Sequence, residues 1–97
     1  MPRIYATVGR ASDNDVVLDD PTVSNHHARL SWSAKGLFIE DLSSANGTFV
    51  DGERIRAVHT RPGAEVLIGA APLPWSHEGL RKLLKAGVGA RTLVIPA

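Results

Sequence analysis

The sequence predicts an all-β fold: a sandwich of two mainly antiparallel sheets, with a short helix near the C-terminus. Three observations point there. Short runs rich in β-branched and apolar residues recur along most of the chain. Turn chemistry separates them at Asp19-Asp20-Pro21, Ala34-Lys35-Gly36, Asn46-Gly47, Asp51-Gly52 and Arg61-Pro62-Gly63. Only one stretch, beyond residue 76, carries leucines at helical spacing. Many short strands between closely spaced turns are the pattern of a sandwich.

Residues 4–8 alternate and end at Gly9, giving a first strand. Val16-Val17-Leu18, between acidic turns, gives a second. Residues 28–33 alternate cleanly, which places Ala28, Leu30 and Trp32 on the core face. Residues 37–41 return as the partner of a hairpin. Residues 55–58 and 65–68 supply two more strands. Ser76 suits the N-cap of a helix over about residues 77–86, in which Leu80, Leu83 and Leu84 share a face. Gly87 is the natural stop. Residues 91–95 then read as a last strand.

The chain has 97 residues, which suits a single domain over 1–97 with one small core. With 43% hydrophobic residues it can fill that core, which argues against disorder. There is no cysteine, so a disulfide scaffold and a thiolate zinc site are excluded. No stretch approaches the ~18 apolar residues of a membrane span. The start, Met1-Pro2-Arg3-Ile4-Tyr5, lacks a signal-peptide core, and a cytoplasmic setting is expected. A net charge of +1 does not suggest nonspecific nucleic-acid binding. The charge is uneven: residues 1–51 carry four bases against seven acids, and residues 52–97 seven bases against three. A single well-placed arginine therefore matters more in the first half than any general field.

Chemistry concentrates in two polar loop runs. Gly9-Arg10-Ala11-Ser12-Asp13-Asn14-Asp15 leads through Ser24-Asn25-His26-His27-Ala28, and Asp41-Leu42-Ser43-Ser44-Ala45-Asn46-Gly47-Thr48-Phe49-Val50-Asp51-Gly52 follows. Together they offer a guanidinium, several hydroxyls and two amides. That set can hold a phosphate and the backbone beside it, and contains no evident nucleophile. Arg10 follows a strand and opens a loop; its planar fork of donors suits phosphate oxygens, where the plain alternative is a solvated surface arginine. Ser24 is otherwise a turn-capping serine.

In order and spacing, these runs resemble the forkhead-associated (FHA) domain, a phosphothreonine-reading β-sandwich. The resemblance covers about residues 3–75. It implies that Arg10 and Ser24 bind phosphate, and that Asn25 and Asn46 hold the peptide main chain, with Ser44 and His26 as further candidates. It implies structural roles for Gly9, Asn14, His27, Asp41, Gly47, Thr48 and Gly52. His27 would brace the binding loops; neighbours on a strand point to opposite faces, so His26 and His27 are poor partners for one metal. Two positions depart from the family pattern. Asn25 stands where many members carry a cation, and Ala45 where many carry a hydroxyl that Ser44 is then left to supply. A missing charged hydrogen bond weakens binding by about tenfold.

The family has a further strand before the one ending in Gly-Arg. Residues 91–95 resemble that first strand, so a rearranged order is expected, with the last strand filling the empty slot, or pairing with another molecule, and the helix as connector. The implied function is a phosphopeptide-binding adaptor in Ser/Thr kinase signalling, including the bacterial type. Its partners would be a phosphothreonine protein and an upstream kinase, with no cofactor, metal, nucleic acid or membrane. The rival is a phosphate-independent scaffold of the same fold. An enzyme is poorly supported. Asn46-Gly47-Thr48 also matches a glycosylation sequon, discounted without a signal peptide, and Gly87-Val88-Gly89 lacks the rest of a nucleotide loop. Arg81, Lys82 and Lys85 beside leucines suit a membrane-surface helix, but so short a helix more often covers a core.

Overall fold

The computed structural model of the protein describes residues 5–92, and side chains as far as residue 85. Nine strands precede one helix among the described residues: β1 Tyr5–Gly9, β2 Val16–Val17, β3 Ala28–Ser33, β4 Gly36–Asp41, β5 Thr48–Val50, β6 Glu53–Ile55, β7 Ala57–Thr60, β8 Val66–Ile68, β9 Ala71–Pro72 and α1 Glu78–Thr92. They form a five-stranded sheet in the order β2-β1-β3-β4-β7 and a four-stranded sheet in the order β6-β5-β8-β9. Only β1 and β2 pair in parallel; the other neighbours are antiparallel.

The alternating pattern of the sequence becomes the interior of this sandwich. Ala6, Val8, Ala28, Leu30, Leu37 and Ile39 face inward from one sheet, and Val50, Val66 and Ile68 from the other, in one continuous core. Ala28 and Leu30 are buried as expected, and Trp32 packs at the margin of the core. The hairpin of β3 and β4 pairs Leu30 with Ile39 and turns at Gly36, whose φ is +116°.

Three expectations change. The strand expected over residues 55–58 is two strands in different sheets. Arg56 lies at the crossing, and its carbonyl accepts a 2.7 Å bond from the Asp41 N–H, so the chain is pinned where it switches sheets. An apolar run cannot reveal such a corner, because both halves remain β-like. Second, β9 was not anticipated. It is two residues long, and Pro72 is tolerated because β9 is an edge.

The third change concerns the tail. Helix α1 runs from Glu78 to Thr92, through Gly87. A glycine inside a helix costs only ~1 kcal/mol, so it is a weak stop unless the chain also turns there. The N-cap is His77, not Ser76: His77 Nδ1 accepts from the Gly79 N–H at 2.9 Å, and its carbonyl takes the first helical bonds from Leu80 and Arg81. Residues 91 and 92, expected to begin a strand, are helical; residues 93–95 of that expected strand lie outside the described residues. The helix packs against β1 and β2. Leu80 and Leu83 enter the core, and the Trp32 indole N–H donates to the Leu83 carbonyl at 2.7 Å. What meets the β1–β2 end of the sandwich is thus a helix face.

Gly79 permits that docking. A Cβ there would come within 2.2 Å of the Asp15 carbonyl oxygen. Propensity alone makes Gly79→Ala stabilising by ~1 kcal/mol. The clash is with backbone, and overpacking of this kind costs ~1–3 kcal/mol. Urea unfolding of Gly79→Ala should therefore show a net loss of stability; a gain would mean that the helix does not sit this close to β2.

Candidate functional site

Three loops meet at one end of the sandwich: residues 10–15 after β1, residues 18–27 before β3, and residues 42–47 before β5. Their backbones are cross-linked. The Arg10 N–H donates to the Ser24 carbonyl at 2.9 Å, and the Ala11 N–H to the Asn25 carbonyl at 3.2 Å. Asn14 Nδ2 donates to both Ala11 O, at 2.8 Å, and Asn25 O, at 2.7 Å. Gly9 lies under this crossing, where a Cβ would be 2.2 Å from Asn25 O. That approach, not a turn, is why glycine stands there.

His27 is fully buried beneath the rim. Its Nδ1 accepts from the Ser24 N–H at 3.0 Å, and its Nε2 meets the Gly47 carbonyl at 2.8 Å. A backbone N–H can only donate and a carbonyl can only accept. The ring is therefore the neutral tautomer with hydrogen on Nε2. The Gly47 carbonyl also accepts from the Gly69 N–H at 2.9 Å, and Gly47 itself has φ +90°.

Asp41 organises the 42–47 turn. Its carboxylate accepts from the Ser44 N–H at 3.1 Å, the Ser44 hydroxyl, and the Thr48 hydroxyl at 2.7 Å. Partial burial pushes its pKa up, but those hydrogen bonds outweigh it and hold the carboxyl below the ordinary carboxylate value. The Ser44 hydroxyl accepts in turn from the Gly47 N–H at 3.0 Å. It is committed inward, and so is not placed to supply the hydroxyl that Ala45 lacks.

The remaining side chains point outward. Arg10 is exposed, and no carboxylate pairs with it among the described residues. The Ser24 hydroxyl accepts from the Ala45 N–H at 3.0 Å, which leaves its own hydrogen to be donated. Asn25 presents its side chain to solvent, while its carbonyl serves the scaffold. Asn46 Nδ2 ties down the Thr22 carbonyl at 2.8 Å; the residue is exposed, and its amide oxygen is left for another donor. His26 is exposed and lies 3.0 Å from both Asp13 oxygens; that bond holds the Asp13 carboxyl below its ordinary value. His26 and His27, both in the loop before β3, thus do different work: one is exposed beside Asp13 and the other is buried beneath the rim. Gly52, at φ +87°, shapes the β5–β6 hairpin. Among the described residues no group of three or more His, Asp or Glu could hold a metal.

Thr22 was missed in the sequence. Its backbone N–H and its hydroxyl both donate to Asp20 Oδ1, its hydroxyl accepts from the Ala70 N–H at 2.9 Å, and its carbonyl holds Asn46. The Thr22 bonds, with the Arg10 charge behind them, keep the Asp20 carboxyl low. The Asp-x-Thr spacing at 20–22 is the signal, an Asx-type turn that also reaches a third strand end.

A carboxyl with a lowered native pKa adds stability above its unfolded value near 4, and that contribution is lost as pH falls through the native value. Asp41→Asn should therefore cost ~1–3 kcal/mol at neutral pH and flatten the acid limb of stability against pH. Chemical unfolding between about pH 2 and 7 checks both; an unchanged acid limb would remove Asp41 from the framework.

An FHA domain family model matches residues 6–69. The chain is 40% identical over 93 residues to the ABC transporter ATP-binding/permease protein Rv1747 of Mycobacterium tuberculosis, an alignment spanning 92% of this chain and 11% of that protein. It is 44% identical over 63 residues to the FHA domain-containing protein FhaB of Mycolicibacterium smegmatis, spanning 64% of this chain and 41% of that protein. The chain therefore matches well under half the length of these relatives. The solved FHA-2 domain of Rv1747 superposes with a TM-score of 0.67 at 41% identity, over 75% of this chain and 68% of that one. Mycobacterium tuberculosis EmbR in complex with a low-affinity phosphopeptide does so with a TM-score of 0.67 at 38% identity, over 71% of this chain and 18% of that one. With the loop framework built from Gly9, Asn14, His27 and Gly47, these matches make the chain a member of the forkhead-associated domain family.

Proposed function

We propose that this domain, taken as residues 1–97, is a phosphothreonine-reading adaptor. One observation carries the reading: the unpaired Arg10 guanidinium and the unused Ser24 hydroxyl hydrogen are brought to one rim by the Arg10-to-Ser24 backbone bond. A fork of cationic donors beside a hydroxyl donor suits a phosphate. Asn25 and the amide oxygen of the exposed Asn46 flank it, where they can bond a peptide main chain. EmbR, a relative that holds a phosphopeptide, supports the same reading.

Binding here is electrostatic and geometric, with no chemical step. The partner is a phosphothreonine-bearing protein produced by a Ser/Thr kinase, which puts the domain in the cytoplasm with ATP. Nucleic acid, membrane and cofactors have no part in the reading; no helix among the described residues is long and apolar enough to cross a membrane. Ala45 places a methyl group where a hydroxyl would add a donor, and Asn25 adds no charge, so the affinity expected is modest. The same two departures favour the second reading, a scaffold indifferent to phosphate.

Fluorescence anisotropy with matched phosphothreonine, phosphoserine and unmodified peptides separates the two. Arg10→Ala removes two charged hydrogen bonds, together ~3 kcal/mol or more, and should weaken binding at least about a hundredfold. A change below about threefold would sink the role of Arg10. Burial of one methyl predicts about a fourfold preference for phosphothreonine over phosphoserine. Affinity should fall as pH drops below ~6, where the phosphate loses its second charge.

A further inference from the structure

The outer face of the five-stranded sheet carries no residue of the phosphate rim. Sandwich strands normally turn polar side chains outward, but here three rings stand in one outward row. Ala6, Leu30, Leu37, Ile39 and Val58 pack on the core side, so their strand neighbours point away from it. In register across β1, β3, β4 and β7, one outward row is Tyr5, Ser31, Phe38 and His59, and the next is Thr7, Arg29, Glu40 and Ala57. Tyr5 is 40% exposed, and Val17, beside the buried Val16, is 43% exposed; both belong to this face. The Phe38 and His59 ring centroids lie 4.9 Å apart. Helix α1 covers the opposite side of the sheet, where Leu80 and Leu83 enter the core.

The charges at the centre of this face are self-complementary. Arg29 and Glu40 stand opposite each other on β3 and β4, the two middle strands of the four. Arg29 Nε and Nη2 both donate to Glu40 Oε1, and neither Arg29 Nη1 nor Glu40 Oε2 has a hydrogen bond among the described residues. Asp15, at the β2 edge, is held by the Thr7 N–H and hydroxyl. A two-fold axis parallel to the strands, midway between β3 and β4, lays Arg29 over the Glu40 of a second copy and Glu40 over its Arg29. The same axis lays Phe38 over Ser31, so that a ring meets a small side chain at the centre. It lays Tyr5 over His59 and Thr7 over Ala57 at the margins.

We propose that this face binds the same face of a second copy of the chain, in a two-fold pair of sandwiches. One patch meets itself, as in any isologous interface. Arg29 Nη1 of each copy bonds Glu40 Oε2 of the other, so the two pairs within chains become a ring of four charges. Phe38 and Tyr5 leave water with the side chains that face them. Four strands ~4.8 Å apart and about six residues long offer roughly 400 Å² on each copy, about half of the ~800 Å² per partner in a stable interface. The pair is therefore weak, with a dissociation constant of about 0.1–1 mM, and forms where copies are already concentrated. An axis along the strands leaves both loop ends pointing the same way, so the pair presents two rims on one side. The pairing itself does not depend on what the rims bind.

Sedimentation equilibrium of the full chain, from about 20 µM to about 1 mM at low salt, tests this. The average mass should rise from one copy towards two, and less so as salt is added. Arg29→Glu gives a face with two acids and Glu40→Arg one with two bases. Each variant alone should self-associate at least about tenfold more weakly, because like charges then face each other. Mixed in equal amounts, the two should associate to within about threefold of the unaltered chain, since every acid now faces a base. A residue with a merely structural role would not produce that rescue between separate chains. Ser31→Asp, which keeps the Arg29–Glu40 pair, should also weaken the association, and it decides the matter if either charge variant fails to fold. A chain that stays at the mass of one copy up to about 1 mM overturns the proposal and leaves the face to a different protein. Single variants that associate like the unaltered chain, or a mixture no better than its components, overturn it as well.

Discussion

The binding end of this domain depends on one imidazole. His27 receives a hydrogen bond from the Ser24 backbone and gives one to the Gly47 carbonyl, and it does so without access to water. A buried polar group without partners carries a desolvation penalty of ~1–3 kcal/mol, so the ring and both loops are ordered together or not at all. No aliphatic residue of that size could accept at one edge and donate at the other. The two bonds also fix which nitrogen carries the hydrogen, so the ring is a directional strut.

Around that strut, each neighbouring group serves the scaffold with one part and the surface with another. Ser24 lends its backbone to Arg10 and His27, accepts from Ala45 with its oxygen, and keeps its hydrogen. Asn46 anchors Thr22 with its nitrogen and keeps its oxygen free of the scaffold, on an exposed residue. Asn14 works wholly inside, joining two loops through one amide. Its Oδ1 has no hydrogen-bond partner among the described residues, so the position is held by what the nitrogen does. The division follows from chemistry: an amide or hydroxyl has a donor and an acceptor side, whereas a guanidinium has only donors. Arg10 is accordingly the group left with nothing to do inside.

Much of this was legible in the sequence because glycine, asparagine and histidine at fixed spacing have few other reasons to occur together. The sandwich followed from alternation in residues 28–33 and 37–41, and the rim from Arg10, Ser24 and Asn46. The parts that were not legible share a cause. The corner at Arg56, the two-residue β9 and the inward turn of the Ser44 hydroxyl are set by partners far away in sequence, to which local pattern is blind. A glycine at position 87 signals a helix end locally, but the packing of Leu80 and Leu83 that anchors the helix is invisible to a local signal, and the helix runs on to Thr92. The role of Thr22 is hidden in the sequence because threonine after Asp-Pro reads as a local turn, whereas its partners Asn46 and Ala70 lie far along the chain.

The Gly47 carbonyl accepts from His27 and from the Gly69 N–H, so elements from both sheets converge on one oxygen. Parts joined in this way cannot rearrange one at a time. A ligand arriving at the rim meets a site already in its binding shape, loses little entropy in ordering it, and leaves the far side of the sandwich as it was. On the proposed phosphothreonine reading, the output is proximity: whatever is attached to the chain is raised to a high effective concentration near the modified partner, and withdrawn when the phosphate is removed. On that reading the switching belongs to the enzymes that write and erase the mark, and the domain serves as the latch between them.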